Sequence, residues 1–133
     1  MRARILVVED SADSRELLVA LLEDEGYEIQ SCENVAAARS ALAKDGRFDI
    51  LITDYWLPDG LGTDVVRQAR EAGLLEGTAI ILFTAHPTVT LEGAKVVRKP
   101  ADFDMLLSSV ASFASPATFV NGRGAIVTDR IGC

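Results

Sequence analysis

Asp54 closes the apolar run Ile50-Leu-Ile-Thr53, and Tyr55-Trp-Leu-Pro58-Asp-Gly60 follows at once. A buried strand that meets a Pro/Gly turn in this way delivers its last side chain to the rim of a sheet. Two other runs end in charge: Arg4-Ile-Leu-Val-Val8 runs into Glu9-Asp10, and Lys95-Val-Val-Arg98 into Lys99-Pro100. Thr84 closes a further run that starts at Thr78. Three carboxylates at one rim repel unless a cation joins them. Oxygen-only ligation with room for water suits Mg²⁺, so Glu9, Asp10 and Asp54 are candidate metal ligands. Asp54 is then a candidate nucleophile toward phosphorus, forming an acyl phosphate. Lys99 offers a movable point charge to a phosphoryl oxygen, and the Thr84 hydroxyl offers a hydrogen bond. Trp56 and His86, two residues past Asp54 and Thr84, flank the path of the water that hydrolyses such an intermediate.

Singly, each signal is weak. A Glu-Asp pair after a strand is more often a solvated helix start. Lys-Pro at a strand end is more often a turn, a lone histidine more often an exposed loop residue, and Tyr55 and Trp56 more often rim packing. Their joint placement at successive strand ends is what points to a site.

The elements that must hold these residues read as alternating strands and helices. Arg4–Val8 is a strand, and Ser11–Glu25 a helix with a leucine stripe at 17, 18, 21 and 22, capped by Ser11 and stopped by Gly26. Tyr27–Ser31 is a second strand, and Asn34 caps an Ala-rich helix to about Lys44. Asp45-Gly46-Arg47 is a turn. Phe48–Thr53 is the third strand, Pro58–Gly62 a loop, and Thr63 or Asp64 opens a helix through Ala72 that Gly73 closes. Thr78–Thr84 is a fourth strand. His86–Gly93 has room for barely two helical turns, and Pro87 with its β-branched neighbours makes it a poor helix. Lys95–Arg98 is a short fifth strand. Ala101 to about Phe113 is an amphipathic helix with Phe103, Leu106, Leu107 and Val110 on one face. Five alternations predict a five-stranded parallel sheet covered by helices on both faces. Ligands bind such sheets beyond the carboxyl ends of the strands, where every candidate residue falls. No glycine-rich phosphate loop follows the first strand, which counts against a nucleotide fold.

The chain has 133 residues and a formal charge of −7, with half its residues apolar. This is one domain's worth of ordinary globular composition. Without a basic cluster it is a poor nucleic-acid binder. No apolar run reaches the length of a membrane helix, and the short apolar start ends in two acids, unlike a signal peptide. The two cysteines, Cys32 and Cys133, lie far apart, as in a protein of the reducing cytoplasm.

Residues 3 to about 114 resemble the receiver domain of bacterial two-component response regulators. The resemblance rests on Glu9-Asp10, on Asp54-Tyr-Trp-Leu-Pro58-Asp-Gly-Leu-Gly62, on Phe83-Thr84-Ala85, on Lys99-Pro100, and on the spacings between them. It implies an α/β, doubly wound, flavodoxin-like fold with strand order 2-1-3-4-5. It implies that Asp54 is the phosphoacceptor and that Asp10, Asp54 and the Trp56 backbone carbonyl ligate Mg²⁺, with Glu9 acting mainly through water. Thr84 and Lys99 would bind the phosphoryl group, and the Lys99–Pro100 bond would be cis. The implied donor is a phosphohistidine of a histidine kinase or phosphotransfer protein. Output runs through protein contacts, and a homodimer is a further implied state.

Two departures stand out. The interval from Thr84 to Lys99 is short by roughly two turns at ~3.6 residues each, so the fourth helix should be stunted or absent. Val96 stands where the family usually has an aromatic residue that moves with the threonine. Residues 1–115 are expected to form the receiver. Residues 116–133 form a tail that is either disordered or a hairpin about Asn121-Gly122. If the chain is complete, the receiver acts alone, hydrolysing its phosphoryl group slowly. Two other functions fit the sequence less well: an atypical receiver that binds partners without phosphorylation, and a Mg²⁺-dependent phosphatase. The latter lacks its Asp-x-Asp motif because Trp56 occupies the second position.

Overall fold

The run Arg4–Val8 is apolar on both of its faces, and it forms a strand, β1, with helices packed above and below. The computed structural model describes residues 2–44, 47–86, 88–99, 103–114, 118–120 and 126–128. The elements are β1 Arg4–Val8, α1 Ala12–Asp24, β2 Glu28–Cys32, α2 Val35–Lys44, β3 Ile50–Thr53, β4 Trp56–Leu57, β5 Gly60–Leu61, α3 Gly62–Glu71, β6 Ala79–Thr84, β7 Ala94–Arg98, α4 Phe103–Ala114, β8 Thr118–Val120 and β9 Ile126–Thr128. Five strands make one parallel sheet in the order β2-β1-β3-β6-β7. Counted among the sheet's own strands, that is the expected 2-1-3-4-5.

The period of two divides each central strand between two cores. Ile5, Val7, Ile50, Ile52, Ile81 and Phe83 pack against Leu18 and Leu22 of α1 and Leu106 and Val110 of α4. Leu6, Val8, Leu51 and Ile80 pack against Leu42 of α2 and Val65 and Val66 of α3. Among the described residues between Thr84 and Ala94 there is no helix, as the short interval predicts. Phe48 is buried but lies before β3, which begins at Ile50. The Phe48 carbonyl accepts a hydrogen bond from the Thr78 hydroxyl (2.8 Å).

The stretch after β3 is more ordered than the expected loop. Trp56 pairs with Leu61 and Leu57 with Gly60 in a two-residue antiparallel ladder. Pro58 and Asp59 fill the tight turn between them, positions that suit proline and aspartate. Asp59 also reaches α2. Its carboxylate accepts the N–H groups of Val35 (2.7 Å) and Ala36 (3.0 Å), while Asn34 accepts that of Ala37 (2.7 Å). Three free donors at the α2 N-terminus are thereby satisfied. These bonds hold the Asp59 carboxyl below the usual carboxylate range, against a smaller opposing effect of desolvation. Helix α3 starts at Gly62, ahead of the expected Thr63 or Asp64, with the Leu61 N–H held by Asp64 (3.1 Å). A side chain at Gly62 would overlap the backbone carbonyl of Asp54 and come within 2.8 Å of Thr53 Oγ1.

The strands β8 and β9 pair antiparallel. The Asn121-Gly122 turn expected between them lies outside the described residues, as do the Asp45-Gly46 turn and Pro100 with its expected cis bond.

Two tests follow. An unfolded aspartate titrates near about 3.9, and the folded Asp59 titrates lower, so its cap stabilises fully above that value and is lost as pH falls through the folded one. The stability gap between wild type and Asp59→Ala, from urea unfolding, should therefore be open at neutral pH and narrow in acid. Gly62→Ala in a helix would ordinarily gain up to about 1 kcal/mol. Here overlap with Asp54 should reverse the sign, to a loss of about 1–3 kcal/mol by urea unfolding.

Candidate functional site

The parallel ladders continue one residue past the strands and carry the charged residues with them. The Asp54 N–H donates to the Val8 carbonyl (3.0 Å), the Glu9 N–H to Cys32 (3.0 Å) and the Lys99 N–H to Thr84 (2.9 Å). Glu9, Asp54 and Lys99 therefore emerge in register at the same rim. Lys99 Nζ lies 2.7 Å from Glu9 Oε1 and 2.9 Å from Asp54 Oδ2. Oxygens of Glu9, Asp10 and Asp54 lie within 4.8 Å of one another.

The three carboxylates differ in environment. Glu9 is buried (3% exposed), and both its oxygens are engaged, Oε1 by Lys99 and Oε2 by the Ser11 N–H (3.1 Å). Asp10 is exposed. Asp54 is half-buried; Oδ2 takes Lys99, and Oδ1 faces the Trp56 N–H at 3.4 Å. Burial alone would lower the Lys99 pKa, but hydrogen bonds and charge from Glu9 and Asp54 outweigh it, and the net shift is upward. Lys99 is thus a fixed cation at any physiological pH. One ammonium against three carboxylates leaves a deficit of two positive charges, in a pocket of oxygen donors. That donor set fits a hard divalent cation such as Mg²⁺.

Thr84 is fully buried at the end of β6, and its hydroxyl oxygen accepts the His86 N–H (3.1 Å). The ring centroids of Tyr55, Trp56 and His86 lie 4.8–5.6 Å apart, and Trp56 is 56% exposed. They form an aromatic rim beside the carboxylates. His86 Nδ1 accepts the N–H groups of Thr88 (3.2 Å) and Val89 (3.0 Å), so that nitrogen organises backbone.

The structure adds residues that the sequence did not single out. Arg15 donates to the Glu9 carbonyl (2.9 Å) and lies 3.7 Å from Glu33, pinning the turn that presents Glu9 and Asp10. Arg98 donates to the carbonyls of His86 (2.7 Å) and Val89 (3.2 Å). Neither arginine has a distinguishing sequence neighbourhood. Gly62 stood within the quoted Asp54 block, but its close approach to Asp54 is visible only in three dimensions. Burial pushes the Cys32 thiol up to about 11, which leaves it unreactive. No helix among the described residues is long and apolar enough to cross a membrane.

Known proteins are similar to this chain in both sequence and fold. Residues 5–111 match the response regulator receiver domain family. The chain is 35% identical to the response regulator protein PilR of Pseudomonas aeruginosa over 109 residues, which cover 82% of this chain but only 23% of PilR. It is 32% identical over 114 residues to the response regulator receiver protein CpdR of Brucella abortus, covering 80% of this chain and 92% of that one. The response regulator TrrA of Thermotoga maritima, solved in complex with Mg²⁺-BeF, superposes with a TM-score of 0.75 at 34% identity, covering 85% of this chain and 99% of TrrA. TrrA has also been solved in complex with the histidine kinase ThkA. With a parallel sheet in the family's strand order and acids and a lysine at its carboxyl rim, the chain belongs to the response regulator receiver domains of two-component signalling.

Proposed function

We propose that Asp54 accepts a phosphoryl group from a phosphohistidine on a histidine kinase or phosphotransfer protein, and that the domain signals through protein contacts. The observation that carries this is the Lys99 ammonium bridging Asp54 and Glu9, with Asp10 within reach of both. Crystals of TrrA with Mg²⁺-BeF and with a histidine kinase support the same reading.

Asp10, Asp54 and the Trp56 backbone carbonyl would hold Mg²⁺, which when bound neutralises charge on the transferring group. Both oxygens of Glu9 are already engaged, which favours an indirect role for it through water. A carboxylate oxygen of Asp54 attacks phosphorus, the P–N bond to the donor imidazole breaks, and the imidazole leaves with the electron pair. Lys99 stays close enough to Asp54 to follow the charge onto a phosphoryl oxygen. Thr84 donates its hydroxyl proton to another. Positioning and electrostatics do most of the work in such a transfer. Hydrolysis of the acyl phosphate is slow, and no turnover of a metabolite is assigned. The wide separation of Cys32 and Cys133 in the sequence favours a reducing, cytoplasmic setting.

Trp56 is the chain's one tryptophan and follows Asp54 by two residues, which makes it the reporter. Its fluorescence should change in millimolar Mg²⁺ and again on adding beryllofluoride, and Asp54→Asn should abolish the second change. Wild type that binds Mg²⁺ yet takes no phosphoryl group from a competent donor would instead be a phosphorylation-independent binding module.

A further inference from the structure

The segment between β6 and β7 satisfies its backbone with side chains in place of a helix. Arg98 donates to two of its carbonyls, those of His86 and Val89. His86 Nδ1 accepts two of its N–H groups, those of Thr88 and Val89. Near its far end, Arg70 of α3 donates to the Glu92 carbonyl (2.8 Å). Among the described residues, the segment meets the site through His86: its N–H donates to Thr84 Oγ1, and its ring packs on Tyr55 and Trp56. Arg98 is also the register partner of Thr84 across β6 and β7, so the clamp and the hydroxyl share one rung of the sheet.

We propose that His86 and Arg98 are positioning residues that couple residues 88–93 to a phosphoryl group on Asp54, and that the group tightens this segment. The inference rests on the phosphoacceptor assignment above. Thr84 Oγ1 already accepts one hydrogen bond, and its own proton remains to be donated. Once that proton goes to an anionic phosphoryl oxygen, the bond is charge-assisted and Oγ1 becomes a better acceptor. The His86 N–H bond to it shortens. His86 then passes the change along two routes, through its ring to Thr88 and Val89 and through its carbonyl to Arg98. Coupling of this kind is reciprocal, so loosening the segment must weaken binding at Asp54 by the same factor.

The test uses the full chain with Mg²⁺ and beryllofluoride, read by Trp56 fluorescence for binding and by NMR for the segment. On binding, the His86 amide proton should shift downfield, and exchange of the Thr88 and Val89 amides should slow severalfold. Asp54→Asn should show neither change. His86→Ala and Arg98→Met should each weaken beryllofluoride binding severalfold, and Arg98→Lys should restore part of the loss. If Arg98→Met does not fold, His86→Ala decides alone, with its binding read by titration calorimetry because the variant, while leaving the Arg98 clamp in place, removes the ring's contacts with Tyr55 and Trp56 as well as the ring acceptor. Absence of any beryllofluoride signal at Trp56 would sink the phosphoacceptor assignment itself. A clear Trp56 response with unchanged or faster exchange at Thr88 and Val89, or unweakened binding in His86→Ala, would sink the coupling and leave that assignment standing.

Discussion

Everything at the rim depends on one ammonium group. At their separation, each pair of carboxylates among Glu9, Asp10 and Asp54 repels by about 3–4 kcal/mol at an effective dielectric near 20. Lys99 holds two of the three and lies close to both. It does not hold Asp10, which stays exposed to water. The cluster is therefore balanced for the residues that are buried and left short of positive charge where it opens to solvent. An oxygen-lined cluster in this condition suits a hard cation at its mouth. Removing Lys99 would leave Glu9, which is buried, without its counter-charge, a far larger penalty than a surface ion pair is worth.

The sheet converts that local demand into a fold. A parallel ladder brings the carboxyl ends of its strands to one edge, and the backbone bonds past the strand ends carry Glu9, Asp54 and Lys99 there in register. The turn after β3 is fixed from both sides, since Asp59 plugs the N-terminus of α2 and Gly62 lets α3 begin against the Asp54 carbonyl. The two cores on either face hold the strands rigid, while the chemistry sits on the segments they present. The residues that bind are thus separated from the residues that pack.

Most of this was legible from the chain. Apolar runs that end in charge placed β1, β3 and β7, and the run closed by Thr84 placed β6, which brought the acids, the lysine and the threonine to one rim. Of the leucine stripe of α1, Leu18 and Leu22 point inward as expected while Leu17 is exposed, and on α4 Leu106 and Val110 are buried as their spacing required. What stayed hidden were contacts made across long sequence separations by ordinary residues. Asp59 read as a turn residue, and its second job, capping a helix 24 residues away, has no local signature. Arg15 stood unremarked in the first helix and Arg98 at the end of the fifth strand, yet each donates to backbone carbonyls. The ladder of β4 and β5 was lost because two-residue strands have no periodicity to detect.

The segment after Thr84 shows why a helix can be dispensed with at some cost in independence. A helix satisfies its own backbone, so it can shift as a body without breaking its internal bonds. This segment has no such internal ladder among its described residues, and its polar groups are held by Arg98, Arg70 and the His86 ring. Those partners belong to β7, to α3 and to the residue bonded to Thr84. Any displacement must therefore break or remake bonds to the sheet itself. Val96 adds no aromatic ring that could swing in response to the threonine, and the neighbouring apolar cover comes from Leu91 and Ala94 packed on the α2/α3 core. The physical consequence is a segment wired tightly to Thr84 and to the sheet, which can change in hydrogen-bond strength and local order but has little scope for rigid-body movement.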